Sequence, residues 1–516
     1  MELKTELRYE GSGWAEFGNP LIRVGGPTVV STDEHGRTVA NMKVTEVPTS
    51  DSPERGFWRL SRDMFESINT VPGPCKLRVD CVDGQFDASH QVLRYHNVNL
   101  AELSASITFE CYLAEFNASE GVAKYFRLPI WNFHGELKPS LRPPKVMHPL
   151  RLSEDNPASP FELFGEPGFV ESVPGYKELV AGQKEGDRQP RVTALMVGAT
   201  GGHATTWDEV RSWFPFTFLN LLGLGSGCRI GAPWIELLDG EGRLARRIHV
   251  RLGSNLYQAG RAFLNDAFHR GGLGHLLTCA ANSSEFQKVY LRVAIDHLLM
   301  GIRDSQTLED GLSHLSRATD TLAGEFGLDT QYLLEAADAA AKFRVKDALR
   351  SASAEISTIA KEQEVAGRTD LAASLRRVAE RTVSNPANMD RDFGLTVLAL
   401  LDRFGLHDGA VADGYYRLYP RQDGRRWHQV LSSYRGLSQH GGAFRFSEGE
   451  DSMVEIFLLT HHLADIVARI ILKLLGYDGE YRPAMAKSSL GMTSDWVTPT
   501  TPPIELGFGR GAEQGI

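Results

Sequence analysis

The sequence predicts a mixed α+β chain of more than one domain, with a β-rich N-terminal module followed by an all-α helical bundle. Three observations predict it. At 516 residues the chain exceeds what one core accommodates, so two to four domains are expected. Up to about residue 235, short β-branched and aromatic runs alternate with turn-forming residues. Beyond residue 253 apolar residues recur with a helical period.

Taken in order, Thr28-Val29-Val30 and Val39 to Val44 flank a turn at Asp33-Glu34-His35-Gly36. ITFECYLAEF (107–116) and AKYFRLPIWNF (123–133) follow, both rich in strand-forming residues, and Pro- and Asp/Asn-rich stretches such as 138–160 punctuate them. This pattern predicts a sandwich or barrel over 1–235. A connecting segment, 236–284, contains IELLDGEGRLARRIHVRL (235–252), a hairpin turning at Asp239-Gly240. Helices are expected at 254–270, 284–302, 307–326, 329–365, 368–383, 390–405, 425–440 and 450–475, which places the helical domain over 285–483. Asn282-Ser283-Ser284 before Glu285 reads as an N-cap, and Gly327, Gly441 and Gly476 read as C-caps. Residues 484–516, Pro/Thr/Gly-rich from 494 onward, read as a flexible tail.

Composition narrows the function classes. The formal net charge of −10 argues against a wholly basic nucleic-acid coat, so any nucleic-acid role rests on a local site. Five scattered cysteines form no CxxC pair, which predicts no metal site and fits a reducing cytoplasm. The start MELKTELRYEGSG has no apolar segment of secretory type. The most apolar stretch, Ile456 to Leu475, is interrupted by His461, His462, Asp465, Arg469 and Lys473, which predicts a buried helix and no membrane partner.

Two glycine motifs are weak. Gly223 to Gly231 (GLGSGCRIG) lacks the Lys-Ser/Thr ending of a phosphate loop and follows a helix, so a tight turn is its default reading. The stretch 198–203 (GATGGH) is no stronger.

Arg-x4-His occurs three times, at Arg270/His275, Arg292/His297 and Arg435/His440, so the bare pattern decides little. Arg270/His275 falls in a glycine-rich break. His297 falls within the stripe Phe286, Val289, Tyr290, Val293 and Met300, as a hydrogen-bonded core histidine would. The third pair differs. Trp427, Val430, Leu431, Tyr434 and Leu437 form an apolar stripe, and Arg435 and His440 flank the opposite face with Arg425, His428, Ser432 and Gln439. Gly436 lies between them, and Gly441-Gly442 ends the helix, where the dipole favours a protonated His440. The plain alternative is a solvated polar face.

SSYRGLSQHGGAF (432–444), followed by the apolar helix ending LADIVARIILKLLGYDGEYRP (463–483), resembles the HEPN superfamily and within it the ApeA-like group of bacterial anti-phage proteins. IDHLLMGIRDSQTLEDGLSHLSRATDTLAGEFG (295–327) is similar to the opening helices of that domain. The resemblance covers about 285–483 and is faint over 1–250. It implies a homodimer in which two Arg-x4-His segments share a cleft and cut RNA without a cofactor, as a toxin-like defence ribonuclease. A phage-derived or nucleotide activator would suit such a role. Arg435 and His440 take the catalytic positions, with Asp320, Gln439 and Ser432 in support. Arg421, Arg425, Arg426 and His428 would hold the RNA backbone. One departure is Gly436, where the family usually has a polar residue; it leaves open a non-catalytic module binding RNA, nucleotide or protein. A third reading, a metal- or nucleotide-dependent enzyme around His96, His134 or His203, has no spacing in its favour.

Overall fold

The computed structural model describes residues 6–17, 22–47, 55–58, 60, 76–99, 102–118, 122–135, 137, 143, 145–163, 165–187, 189–201, 208, 210, 217–253, 260, 263–264, 272–303, 307–328, 339–384, 393–406, 416, 420–421, 423–440, 450–481, 483 and 495–496. It is a mixed α+β protein, β-rich first and helical afterwards. The chain forms two compact units, residues 1–315 with 460–503 and residues 316–459 with 504–516; the expected boundaries at 235 and 285 fall inside the first.

The first unit is built on one antiparallel sheet. Its strands are β1 (Leu7–Phe17), β2 (Ile22–Thr32), β3 (Thr38–Val44), β4 (Lys76–Cys81), β5 (Gly84–Asn99), β6 (Ser104–Asn117) and β7 (Tyr125–Trp131). Then come β8 (Ala158–Leu163), β9 (Glu166–Ser172), α1 (Tyr176–Lys184), β10 (Val192–Ala199) and α2 (Thr217–Ser226). β11 (Gly231–Ala232), β12 (Ile235–Leu238), β13 (Leu244–Val250) and β14 (Leu252–Gly253) complete it. The strand order is β3-β2-β1-β4-β5-β6-β13-β12-β7-β10-β9-β8, and β3 also pairs with β6, so β1 to β6 close into a six-stranded barrel. Closure removes the free edges that an open sheet exposes. Val30, Ala40, Val79, Phe86, Ile107 and Phe109 fill its core. The β3 residues alternate buried and accessible, the period of a half-buried strand.

A buried polar chain crosses this sheet. Glu236 on β12 lies in register with Arg127 on β7 and with Arg247 on β13. It accepts hydrogen bonds from Arg127 Nε and, at 3.0 and 2.7 Å, from Arg247 Nε and Nη2. Arg247 Nη1 donates to the Tyr9 hydroxyl at 2.7 Å. That hydroxyl lies 3.0 Å from His249 Nε2, and Thr32 Oγ1 lies 2.9 Å from His249 Nδ1. Burial works against the Glu236 charge, but Arg247 and Arg127 overcome it and hold the carboxyl below its ordinary pKa.

Burial, reinforced by Arg247, drives the His249 pKa well below the ordinary imidazole value, and burial lowers that of His134 to about 4 despite its hydrogen bond to Gln183. Both rings stay neutral in the fold while the unfolded chain takes up their protons below about pH 6.5, so stability falls as pH drops through that point. The slope expected is about 1.4 kcal/mol per pH unit for each ring. Urea midpoints measured on either side of the imidazole pKa test this: His249→Gln and His134→Gln should each flatten the dependence, and an unchanged slope in both would disprove it.

The helices of the first unit include α3 (Gly272–Asn282) and α4 (Val289–Gly301). α5 (Leu308–Glu325) belongs to it up to residue 315, and α10 (Glu450–Leu474) from residue 460. Most of the helix expected at 254–270 lies outside the described residues. α3 corrects the expected glycine-rich break: Gly274 lets the helix approach β8, where an added Cβ would come within 1.9 Å of the Pro160 carbonyl oxygen. α4 begins at Val289 with Lys288 at its N-cap, later than the Asn282-Ser283-Ser284 signal implied, because Ser283 Oγ serves a local turn by accepting from Glu285 N. Gly327 and Gly476 close their helices at φ +65° and +74°, as expected; Gly441 lies outside the described residues.

The second unit contains the end of α5 with α6 (Ala339–Val365), α7 (Thr369–Ser384), α8 (Phe393–Phe404), α9 (Trp427–His440) and the start of α10. α6 and α7 form a helical hairpin that turns at Gly367 and is tied by Arg376 and Glu364. Among the described residues no helix is long and apolar enough to cross a membrane.

Candidate functional site

Helix α9 carries the Arg435/His440 segment, and its neighbours decide what that segment presents. Trp427, Val430 and Leu431 are buried, as the stripe predicts. α8 packs along α9 and approaches closely at Gly394, where an added Cβ would come within 2.2 Å of the His428 carbonyl oxygen. Gly394 N donates to Ser432 Oγ at 2.7 Å. His428 and Ser432, expected on the open face, therefore sit against α8, and His428 is only 9 % exposed. This corrects the placement of His428 as an RNA contact. Leu437, expected in the packed stripe, is 49 % exposed. The packed arc of α9 is thus rotated toward Arg435.

Arg435 Nη2 donates to Asp320 Oδ2 on α5 at 2.6 Å, and its guanidinium carbon stands 4.7 Å from the centroid of the Phe393 ring. Its Nε is buried, with no hydrogen-bond partner among the described residues. The ion pair is partly exposed, so it contributes at most about 1 kcal/mol, and the contact with the ring adds about 0.5–1 kcal/mol. Its larger effect is geometric: three helices fix the direction of one guanidinium.

His440 is the last residue of α9. Its side chain and that of Gln439 lie outside the described residues. At about 100° per residue, position 440 falls about 140° around the helix from position 435. That places it on the arc of Gln429, Ser433 and Leu437, all exposed.

The basic residues upstream form a network of their own. Arg421 donates to Glu455 Oε2 at 2.6 Å and to both Asp423 carboxylate oxygens. Arg425 donates to Asp423 at 2.8 Å and to Ser433 Oγ at 2.9 Å. Tyr416 and Tyr434 also donate to Glu455, at 2.6 and 2.8 Å. Burial first, then Glu455, raises the Tyr434 pKa to about 12, so its hydroxyl remains a donor. Hydrogen bonds from Arg421 and from the Arg425 backbone hold the Asp423 carboxyl far below its ordinary pKa. Two arginines are thus matched by two carboxylates. Arg426 is exposed and forms no ion pair among the described residues.

Of the other Arg-x4-His matches, Arg270 lies outside the described residues. His275, on α3, lies 3.0 Å from Asp478 Oδ1 and 3.6 Å from Cys279 Sγ. Burial followed by Asp478 raises the Cys279 pKa, the reverse of an activated thiol. His297 Nδ1 lies 3.2 Å from His314 Nδ1 and is half-buried, as a hydrogen-bonded core histidine should be. The stripe beside it is turned from the expected one: Leu291, Ile295 and Leu298 are buried, whereas Val289 is exposed. His134 bonds Gln183, and His203 lies outside the described residues. Among the described residues no three His, Cys, Asp or Glu side chains group as metal ligands.

Sequence reasoning missed Phe393, Asp423 and Glu455. Asp423-Gly424 could have been read as a turn that folds its carboxylate back onto flanking arginines, but nothing local marks Glu455. No family model matches this sequence, and neither a curated protein nor a solved structure matches it.

Proposed function

We propose that the chain is a HEPN-type endoribonuclease of the ApeA-like kind, cutting RNA without a metal where α9 segments of two copies face one another. The observation that carries this reading is the clamp on Arg435. Asp320 and Arg435, which the resemblance marks as supporting and catalytic positions, stand 115 positions apart and are hydrogen-bonded. A guanidinium held by a carboxylate and a ring is pre-oriented for phosphate oxygens, since its planar fork keeps donors to spare. It cannot surrender a proton, so proton transfer to and from the ribose hydroxyl and the 5′ oxygen falls to His440. The arc that separates 435 from 440 suits a site assembled from two chains, each supplying one acid–base group. Leu437 on α9 and Met453, Val454 and Phe457 on α10 are each about half exposed, which suits contact with a second copy. A role in anti-phage defence, in the cytoplasm, follows from the same resemblance.

A second reading, a non-catalytic module that binds RNA, nucleotide or protein, is favoured by the neutralisation of Arg421 and Arg425 by Asp423 and Glu455. Incubating the purified full chain with total RNA in EDTA separates the two. The nuclease reading expects fragments with cyclic-phosphate and 5′-hydroxyl ends; intact RNA retained by the protein would replace it with the second.

A further inference from the structure

The first unit holds a cavity of about 350 Å³ between α2, α4 and the segment that joins β13 to β14. Three arginines line it: Arg229 from the glycine-rich segment 223–231, Arg251, and Arg292 from α4. Among the described residues the one carboxylate in its lining is Asp296, whose Oδ1 stands 3.8 Å from Arg229 Nε and accepts from Asn220 Nδ2 at 3.1 Å. Arg251 Nε donates to the Gly36 carbonyl oxygen at 3.2 Å, which leaves its two terminal nitrogens for other acceptors. Among the described residues neither Arg251 nor Arg292 forms an ion pair. A fourth guanidinium, Arg303, is near enough that burial and the Arg229 charge together lower its pKa. The floor is apolar, with Leu219, Leu252 and Leu299 buried. Gly253 narrows one side at φ +70°, a conformation that strains other residues; a Cβ there would also strike the Ile230 carbonyl oxygen at 2.2 Å.

Three guanidiniums around one carboxylate concentrate positive charge in a concave space, Arg229 half-buried and Arg251 and Arg292 exposed, and such a field attracts an anion. Guanidinium forks match phosphate oxygens in geometry. The volume exceeds what a phosphate group needs and falls within the range of small-ligand sites, about 300–1,000 Å³. We propose that this cavity binds a small phosphate-bearing molecule of about nucleoside-monophosphate size, its phosphate held by Arg229, Arg251 and Arg292 and its organic part against the leucine floor. The glycine-rich segment, weak as a phosphate loop by its pattern, then contributes through the side chain of Arg229, while Gly227, at φ +71°, ends α2 and turns the chain toward the cavity. The proposal does not rest on Arg435 or on the nuclease reading.

Titration calorimetry on the full chain, with pyrophosphate, AMP and citrate as probes at one ionic strength, tests it. Pyrophosphate and AMP are expected to bind, and citrate more weakly. The double variant Arg251→Gln/Arg292→Gln should lose affinity at least about tenfold at an unchanged melting temperature, since each charge-assisted contact is strong. Asp296→Asn should bind more tightly, because the competing carboxylate is gone while an acceptor for Asn220 remains. Absence of binding by both phosphate probes, citrate binding as tight as pyrophosphate, or an undiminished affinity in the folded double variant would each overturn the proposal.

Discussion

On the proposed nuclease reading, Arg435→Ala and His440→Ala are each expected to lower RNA cleavage about 10²–10⁴-fold, the usual contribution of a positioned acid–base or charge-stabilising group. Arg435→Ala should leave the protein folded. The partner it abandons, Asp320, is 41 % exposed and can be solvated, so the stability cost is expected to stay below about 2 kcal/mol. Asp320→Asn should show an intermediate loss, because the amide still accepts from Arg435 Nη2 but orients it less firmly. These variants also separate catalysis from binding: in a non-catalytic module they would alter RNA retention and leave no cleavage to lose. Fragment yields on gels, with circular dichroism melts of each variant, check this. Wild-type cleavage by either folded alanine variant would sink the assignment.

Glu236→Ala is expected to cost about 3–5 kcal/mol of unfolding free energy, the range for a buried ion pair stripped of one partner. Glu236, Arg127 and Arg247 are all nearly inaccessible, and their strand register fixes them side by side. With the carboxylate gone, two guanidiniums remain deep in the sheet, and the Tyr9 hydroxyl still accepts from Arg247 Nη1. The contrasting variant is Arg243→Ala, whose ion pairs with Asp239 and Glu241 are made by a 71 % exposed side chain; its effect should be far smaller than that of Glu236→Ala. Urea unfolding of both proteins measures the difference. Equal small losses would mean that the buried network adds nothing to stability.

Much of the architecture was legible because it follows from short-range pattern. β3 announces itself by alternation, and the hairpin of β12 and β13 by Asp239-Gly240 between apolar runs. Elements governed by distant contacts were not legible. Helix α3 looked like a break because Gly272 and Gly274 lower helix propensity; the return is a backbone approach to Pro160 that no window of sequence displays. His428 looks solvent-facing on a wheel of α9 alone, yet it is buried where α8 approaches α9 at Gly394. The candidate site divides in the same way. Arg435 and Asp320 were named through resemblance and are in contact, whereas Glu455, which with Asp423 neutralises the neighbouring arginines, had no local signal.

Strand β13 lies between β6 and β12 in the sheet, although it is made after all of the barrel strands. Its His249 meets Tyr9 across 240 positions of chain. During synthesis, then, the barrel can close through β3 and β6 while the 113–117 end of β6 keeps one flank unpaired until residue 250 has left the ribosome. Pairings this remote in sequence form slowly. A fragment stopped at 235 would inherit that unzipped flank permanently and tend to self-associate, so an expression boundary for the β module belongs beyond Gly253.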